Sequence, residues 1–220
     1  DSIVNRILAV KNLSENTALI APNKTTTYNI DSGITIIIFI KGDFMKIWID
    51  ISNAPHVRFF KDVIKYFEDE GEDVLVTARK FGDIHKLMDM YDIDFVSVGK
   101  HGVTLEEKLK ESAERVVNLA DLISGENFDV ALSKHSIELP RVAFGLGIPS
   151  LFVLDNEHAM AANKLTLPLC SKIIVPSIID EWKLIQYGAN PNDIIKYNGT
   201  SELMHFNNFV FTDSCWWCLT

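Results

Sequence analysis

The chain predicts an α/β domain of Rossmann-like type, a parallel sheet with helices on both faces, and three observations lead there. Between residues 45 and 197 short apolar runs alternate with segments of helical period. Gly71, Gly125 and Gly188 stand where helical segments close, as C-terminal stop signals do. The stretch MKIWIDISNAPHVRFF, residues 45–60, passes abruptly from strict alternation to helical spacing, which is how a strand runs into a helix through a tight turn.

The elements follow in order. Ile47, Ile49 and Ile51 alternate with Trp48, Asp50 and Ser52 as a strand requires. Asn53 or Ser52 can cap the helix that follows, and Pro55 is tolerated in its first turn because the missing N–H has no intrahelical partner there. Val57, Phe60, Val63, Ile64 and Phe67 then recur at helical spacing. Residues 73–78 (DVLVTA) predict a second strand, 81–91 a helix, 94–98 a third strand, and 105–123 a long amphipathic helix carrying Leu105, Leu109, Val116, Leu119 and Leu122. Next come a strand at 128–132, a helix at 138–146 ended by Gly147-Ile148-Pro149, and a strand at 150–154. A helical segment at 160–167, a strand at 172–175, a helix at 178–187 and a short strand at 193–197 complete the rhythm.

The flanks differ in kind. Residues 1–44, rich in Asn, Thr, Ser and Ile, read as a non-native or disordered leader, with Met45 as the natural start. Lys41-Gly42-Asp43-Phe44 back-translates into a purine-rich ribosome-binding sequence, as translated upstream DNA would; the alternative is an extra edge strand at 33–40. Residues 198–220 read as a linker followed by an aberrant, truncated tail ending in FVFTDSCWWCLT. Cys215-x-x-Cys218 sits at the end of the chain, not at the opening of a helix after a strand as a redox pair should.

Composition narrows the function classes. With 47% hydrophobic residues and 10% aromatic, 220 residues are enough for a full core. A formal net charge of -9 argues against general nucleic-acid binding, which needs a basic face, and leaves a small-molecule substrate as the expected partner. Three cysteines give no disulfide framework and suit a reducing cytoplasm. No apolar run is long enough for a transmembrane segment. Neither G-x-G-x-x-G nor a P-loop follows any strand.

In an open parallel sheet, ligands bind beyond the carboxyl ends of the strands. The loops expected there are residues 52–56, 79–80, 99–102, 133–136 and 155–158, and four of the six histidines fall in them: His56, His101, His135 and His158. His56, in the first turn of a helix, is the candidate general base, with Asp50 to orient it. Glu157 beside His158 is the other acid/base candidate. Arg79, Lys100 and Lys134, repeated at strand ends, suit a phosphate or carboxylate, while Ser52, Asn53, His101, Ser133, His135 and Glu138 complete the ligand-binding set. Glu138 and Arg141 lie three apart on one helix face, the spacing of an ion pair. Asp155, Glu157, His158 and His135 have no established metal spacing, so no metal site is expected.

The blocks MKIWIDISNAPHVRFF, VLVTAR, VGKHG and ELPRVAFGLGIPSLFVLDNEHAMAANKLTLPL agree in order and spacing with a largely archaeal, uncharacterised family, domain of unknown function 354, which the chain resembles over residues 45–209. The resemblance implies a two-domain architecture like that of the GT-B glycosyltransferases and UDP-N-acetylglucosamine 2-epimerases. The first half there supplies the acceptor side, and the second grips the nucleotide-sugar. It also implies a chain that continues past KYNGTSEL into a nucleotide-binding half, so that no cofactor is expected in this portion and a UDP-sugar type nucleotide-sugar is expected for the full-length protein. The expectation is therefore the acceptor-side half of a glycosyltransferase. An epimerase half, in which the histidines and Glu157 shuttle a proton beside the sugar ring, and a non-catalytic module for small anions are the alternatives.

Overall fold

The computed structural model describes residues 44–199, together with the backbone of three short strands earlier in the chain. Those strands are β1 (Ile7–Val10), β2 (Thr25–Thr27) and β3 (Ile36–Phe39). They pair antiparallel in the order β1-β3-β2. Within the stretch whose alternative reading was an edge strand, the described residues form β3, which pairs with β1 and β2. Cys215, Cys218 and the expected tail beyond Gly199 lie outside the described residues.

The main sheet takes its strands from β4 (Lys46–Ile51), β5 (Asp73–Lys80), β6 (Val96–Lys100), β7 (Val130–Lys134), β8 (Ser150–Val153), β9 (Lys172–Pro176) and β10 (Ile194–Tyr197). Between them run α1 (Ala54–Asp69), α2 (Ile84–Met90), α3 (Leu105–Ile123), α4 (Glu138–Leu146), α5 (Met160–Thr166) and α6 (Glu181–Gln186). The strand order is β10-β9-β8-β7-β4-β5-β6, and every pairing is parallel. This is the Rossmann-like sheet that the alternation predicts.

Period two sorts β4 onto two layers. Ile47, Ile49 and Ile51 pack with Val57, Phe60, Ile64 and Phe67 of α1 and with Ile84 and Met88 of α2. Trp48 points the other way, into a cluster with Leu119 and Ile123 of α3 and Leu139 and Val142 of α4. Helices therefore cover both faces. A third cluster, built on Phe152, Ile173, Val175 and Leu184, closes the β10 side.

Helices α3 and α4 occupy the residues expected of them, and the departures elsewhere have local causes. β5, β6 and β7 run on to Lys80, Lys100 and Lys134, since polar side chains do not stop backbone pairing: past a register shift at Arg79, Lys80 pairs with Lys100, and Lys134 pairs with Val153. Arg79, Lys100, Ser133 and Lys134 are consequently strand-end residues, not loop residues. α2 begins at Ile84 and not at 81, because Gly82 sits at φ +51, outside the helical region. α6 begins after Asp180, whose carboxylate accepts from the Trp182 N–H at 3.0 Å and fixes the cap. In α3 the buried stripe is Arg115, Leu119 and Ile123, whereas Leu105 and Leu109, expected on the apolar face, are exposed.

Candidate active site

β4 and β7 lie side by side at the centre of the sheet, with α1 and α4 leaving them toward opposite faces. At such a reversal of strand order a crevice opens beyond the carboxyl ends. A cleft of about 450 Å³ is found there, lined by Ser52, Asn53, Pro55 and His56 after β4, Arg79 of β5, Lys134 and His135 at the end of β7, and Asp155, Asn156, Ala159 and Ala162 after β8. Of the expected site residues, the fold thus brings together Ser52, Asn53, His56, Arg79, Lys134 and His135.

Asn53 caps α1, its side-chain oxygen accepting from the Ala54 N–H at 2.9 Å, and turns the chain so that His56 points back over the strand ends. His56 is only 5% exposed. Its Nδ1 lies 3.3 Å from Ser52 Oγ. Burial, followed by the positive charge of Lys134 and by His135, pushes its pKa down to about 3, so the ring is neutral at physiological pH. A base that weak is mismatched to proton abstraction near neutral pH.

The second histidine is placed differently. His135, in the left-handed region at φ +51, stacks on His56 with ring centroids 6.3 Å apart. Its Nε2 is 2.6 Å from Asp155 Oδ1 and 3.2 Å from the Asp155 N–H. One ring nitrogen cannot donate to the carboxylate and accept from the amide at once, so the shorter contact assigns the proton to Nε2. Lys134 Nζ meets the other oxygen, Oδ2, at 2.5 Å while lying over the Phe59 ring. Asp155 therefore orients His135 as the acid of a base-orienting pair does. The sequence gives Asp155 as a loop residue but does not single out this pairing, whose only signal is that both residues end adjacent strands.

Asp50 is not the orienter of His56. It falls on the Trp48 side of β4, facing α3, whereas His56 belongs to α1 on the other face. Fully buried, Asp50 accepts from Arg115 Nη2 at 2.5 Å and Nη1 at 3.1 Å, from Thr77 Oγ1 at 2.6 Å and from Ser136 Oγ at 2.6 Å. Burial alone would raise its pKa; Arg115, then Ser136 and Thr77, more than offset this and hold the carboxyl below the usual range. Thr77 in turn accepts from Trp48 Nε1 at 2.9 Å. Arg115 also donates to Val98 O at 2.8 Å and to Glu138 at 3.1 Å, and Glu138 accepts from Ser112 at 2.7 Å. Glu138 is thus a buried partner of Arg115, not of the exposed Arg141. Burial pushes the pKa of Arg79 down, the carboxylates of Glu138 and Asp50 opposing this shift and the Arg115 guanidinium adding to it. Arg79 is held by a 2.6 Å bond from Nε to Ser52 O, with its guanidinium over Phe81.

The remaining expected residues stand apart from the cleft. Lys100 pairs with Glu111 on the surface. His101 packs on Phe81, centroids 4.3 Å apart. Ser133 is buried in β7 beside Asp50, its hydroxyl without a partner among the described residues. Glu157 accepts from Lys183 at 3.3 Å, and a bond from its own backbone N–H, then that from Lys183, keep its carboxyl below the usual range. His158 beside it is 77% exposed. Arg115 is the residue that sequence reading missed; the signal was an arginine four and eight residues before Leu119 and Ile123 on one helix face.

The family model described as a protein of unknown function, DUF354, matches residues 45–214. An uncharacterised protein of the archaeon Methanocaldococcus jannaschii is 50% identical over 164 residues, covering 74% of this chain and 48% of that relative. The chain therefore spans about half the length of the curated relative it matches. Among solved structures, the UDP-GlcNAc 2-epimerase of Methanocaldococcus jannaschii aligns at 18% identity with a TM-score of 0.57, over 74% of this chain and 48% of that one. The UDP-GlcNAc 2-epimerase of Neisseria meningitidis bound to UDP-GlcNAc aligns at 15% identity and 0.57, over 71% and 47%. An Anabaena protein in complex with UDP aligns at 20% and 0.52, over 70% and 44%. These likenesses establish the fold, a Rossmann-like half of GT-B type.

Proposed function

The chain belongs to the family described as protein of unknown function DUF354, and on that premise we propose that it is the acceptor-side half of a GT-B-like glycosyltransferase, acting in the cytoplasm on a UDP-sugar type donor. The observation that carries this reading is the cleft at the strand-order reversal, which joins an imidazole–carboxylate pair, His135 with Asp155, to the cations Arg79 and Lys134. Among the described residues its lining offers polar groups for hydroxyls and charges, and no phenyl, phenol or indole ring on which a nucleobase would stack. That supports acceptor recognition in this half and nucleotide recognition elsewhere.

In this reading His135, oriented by Asp155, takes the proton from an acceptor hydroxyl. The hydroxyl oxygen forms the new bond to the sugar carbon, and the bond from that carbon to the diphosphate breaks, UDP leaving with the electron pair. His56, neutral and buried, binds rather than accepts the proton. The test is to incubate the Methanocaldococcus relative, about twice the matched length, with UDP-sugars and a panel of hydroxylated acceptors. Acceptor-dependent release of UDP is expected. A changed sugar still attached to UDP would move the assignment to an epimerase, and an unaltered UDP-sugar under every condition would overturn both.

A further inference from the structure

Two polar side chains in the cleft hold nitrogens with no protein partner among the described residues. Arg79 uses Nε on Ser52 O and leaves both terminal nitrogens of its guanidinium uncommitted. His56, 95% buried, uses Nδ1 on Ser52 Oγ, and its Nε2 has no described partner although the ring lines the cleft. Both stand at the N-terminus of α1, a helix of 16 residues with no acidic side chain in its first turn, where backbone N–H groups favour an anion. The one carboxylate of the lining among the described residues, Asp155, is bonded to Lys134 and His135. Lining groups without a large aromatic or apolar floor suit a compact, hydroxylated, charged molecule better than a nucleotide.

We propose that the cleft seats the phosphate group of a small hydroxylated, non-nucleotide molecule, gripped by the terminal nitrogens of Arg79 and by Nε2–H of His56. The inference deepens the acceptor-side reading, on which the hydroxylated part of the ligand rests: the acceptor is a phosphorylated polyol or sugar. A guanidinium fork matches two phosphate oxygens at once, and a phosphate oxygen at Nε2 favours the tautomer in which Nε2–H donates to it and Nδ1 accepts from Ser52 Oγ–H.

The test is a titration of the chain, followed by nitrogen–proton spectra of the arginine and histidine side chains, with glycerol phosphate, inorganic phosphate, acetate and UMP. Saturable shifts at Arg79 and His56 are expected with glycerol phosphate, with affinity reduced about tenfold in Arg79→Gln and partly restored in Arg79→Lys. Inorganic phosphate binding as tightly as the ester would mean that only the free ion is recognised, and would overturn the polyol part. Acetate matching glycerol phosphate would replace phosphate by carboxylate. UMP binding more tightly than glycerol phosphate would overturn the non-nucleotide assignment, and shifts with none of the four would overturn the site. The readout is on this chain alone, so failed UDP release by the relative with intact phosphate binding removes the transferase and leaves the subsite.

Discussion

His56 and Arg115 show how burial turns single side chains into measurable quantities. The folded pKa of His56, about 3, lies below the ordinary 6.5 of an exposed imidazole. Between those values the unfolded chain binds a proton that the folded chain refuses, so stability is full above pH 6.5 and falls as the pH drops toward 3. At 1.36 kcal/mol per pH unit the upper bound is about 5 kcal/mol. Urea unfolding of the chain and of His56→Gln at pH 7, 5 and 4 should therefore show the variant gaining on the parent at each acid step, and parallel curves would mean that His56 is not the buried, neutral ring described. Arg115→Met should cost about 3–5 kcal/mol, because it strands Asp50 and Glu138 as unpaired buried carboxylates. A loss under about 1 kcal/mol in the same urea experiment would count against the network. Sequence reading located His56 correctly at the helix start but paired it with Asp50, since neighbours on a strand and helix look close in the chain. Only the period-two alternation of β4, applied to Asp50 with the same rigour as to its isoleucines, separates them onto two faces.

At the scale of elements, the joint between β6 and α3 is where the backbone tolerates least. A Cβ placed on Gly102 would meet backbone atoms of Glu107 and Lys108, each at 2.4 Å, so the glycine is the only residue that lets the turn close against the first turn of α3. The same turn is held by a capping box: Thr104 Oγ1 accepts from the Glu107 N–H at 3.1 Å, and the Glu107 carboxylate accepts from the Thr104 N–H at 3.0 Å. Thr104→Ala should cost about 1 kcal/mol, the ordinary price of a lost cap. Gly102→Ala should cost more, since α3 must shift to admit the methyl group and Arg115 rides on that helix. Thermal melting of the two variants checks the ranking, and Thr104→Ala proving the more damaging would refute it. The C-terminal limits of α3 and α4 were legible because Gly125 and Gly147 follow periodic segments. The strand ends were not, because parallel pairing resumes at Lys80 and Lys100 past a register shift at Arg79, and runs to Lys134, on backbone bonds to which hydropathy is blind.

For the molecule as a whole, alternation of strand and helix predicted a parallel sheet but carried nothing about lateral order. The order decides everything about the site: only because β7 pairs with β4 do His135 and Asp155 arrive beside His56, while Lys100 and His101, at the far end on β6, do not. The same order sets a gradient of local stability. β4 and β7 have a neighbour on each side, and β7 is buried at every residue. β6 and β10 have one neighbour each in the main sheet and expose part of their length. A strand with a free edge opens without disturbing the rest, whereas opening β4 parts the α1–α2 cluster from the α3–α4 cluster and so approaches global unfolding. Hydrogen exchange followed by mass spectrometry should therefore find β4 and β7 slowest, exchanging at the rate of global unfolding, with β6 and β10 exchanging earlier through local opening. Protection of β10 equal to that of β4 would overturn this gradient, and would show that the end of the sheet at β10 is held as firmly as its centre.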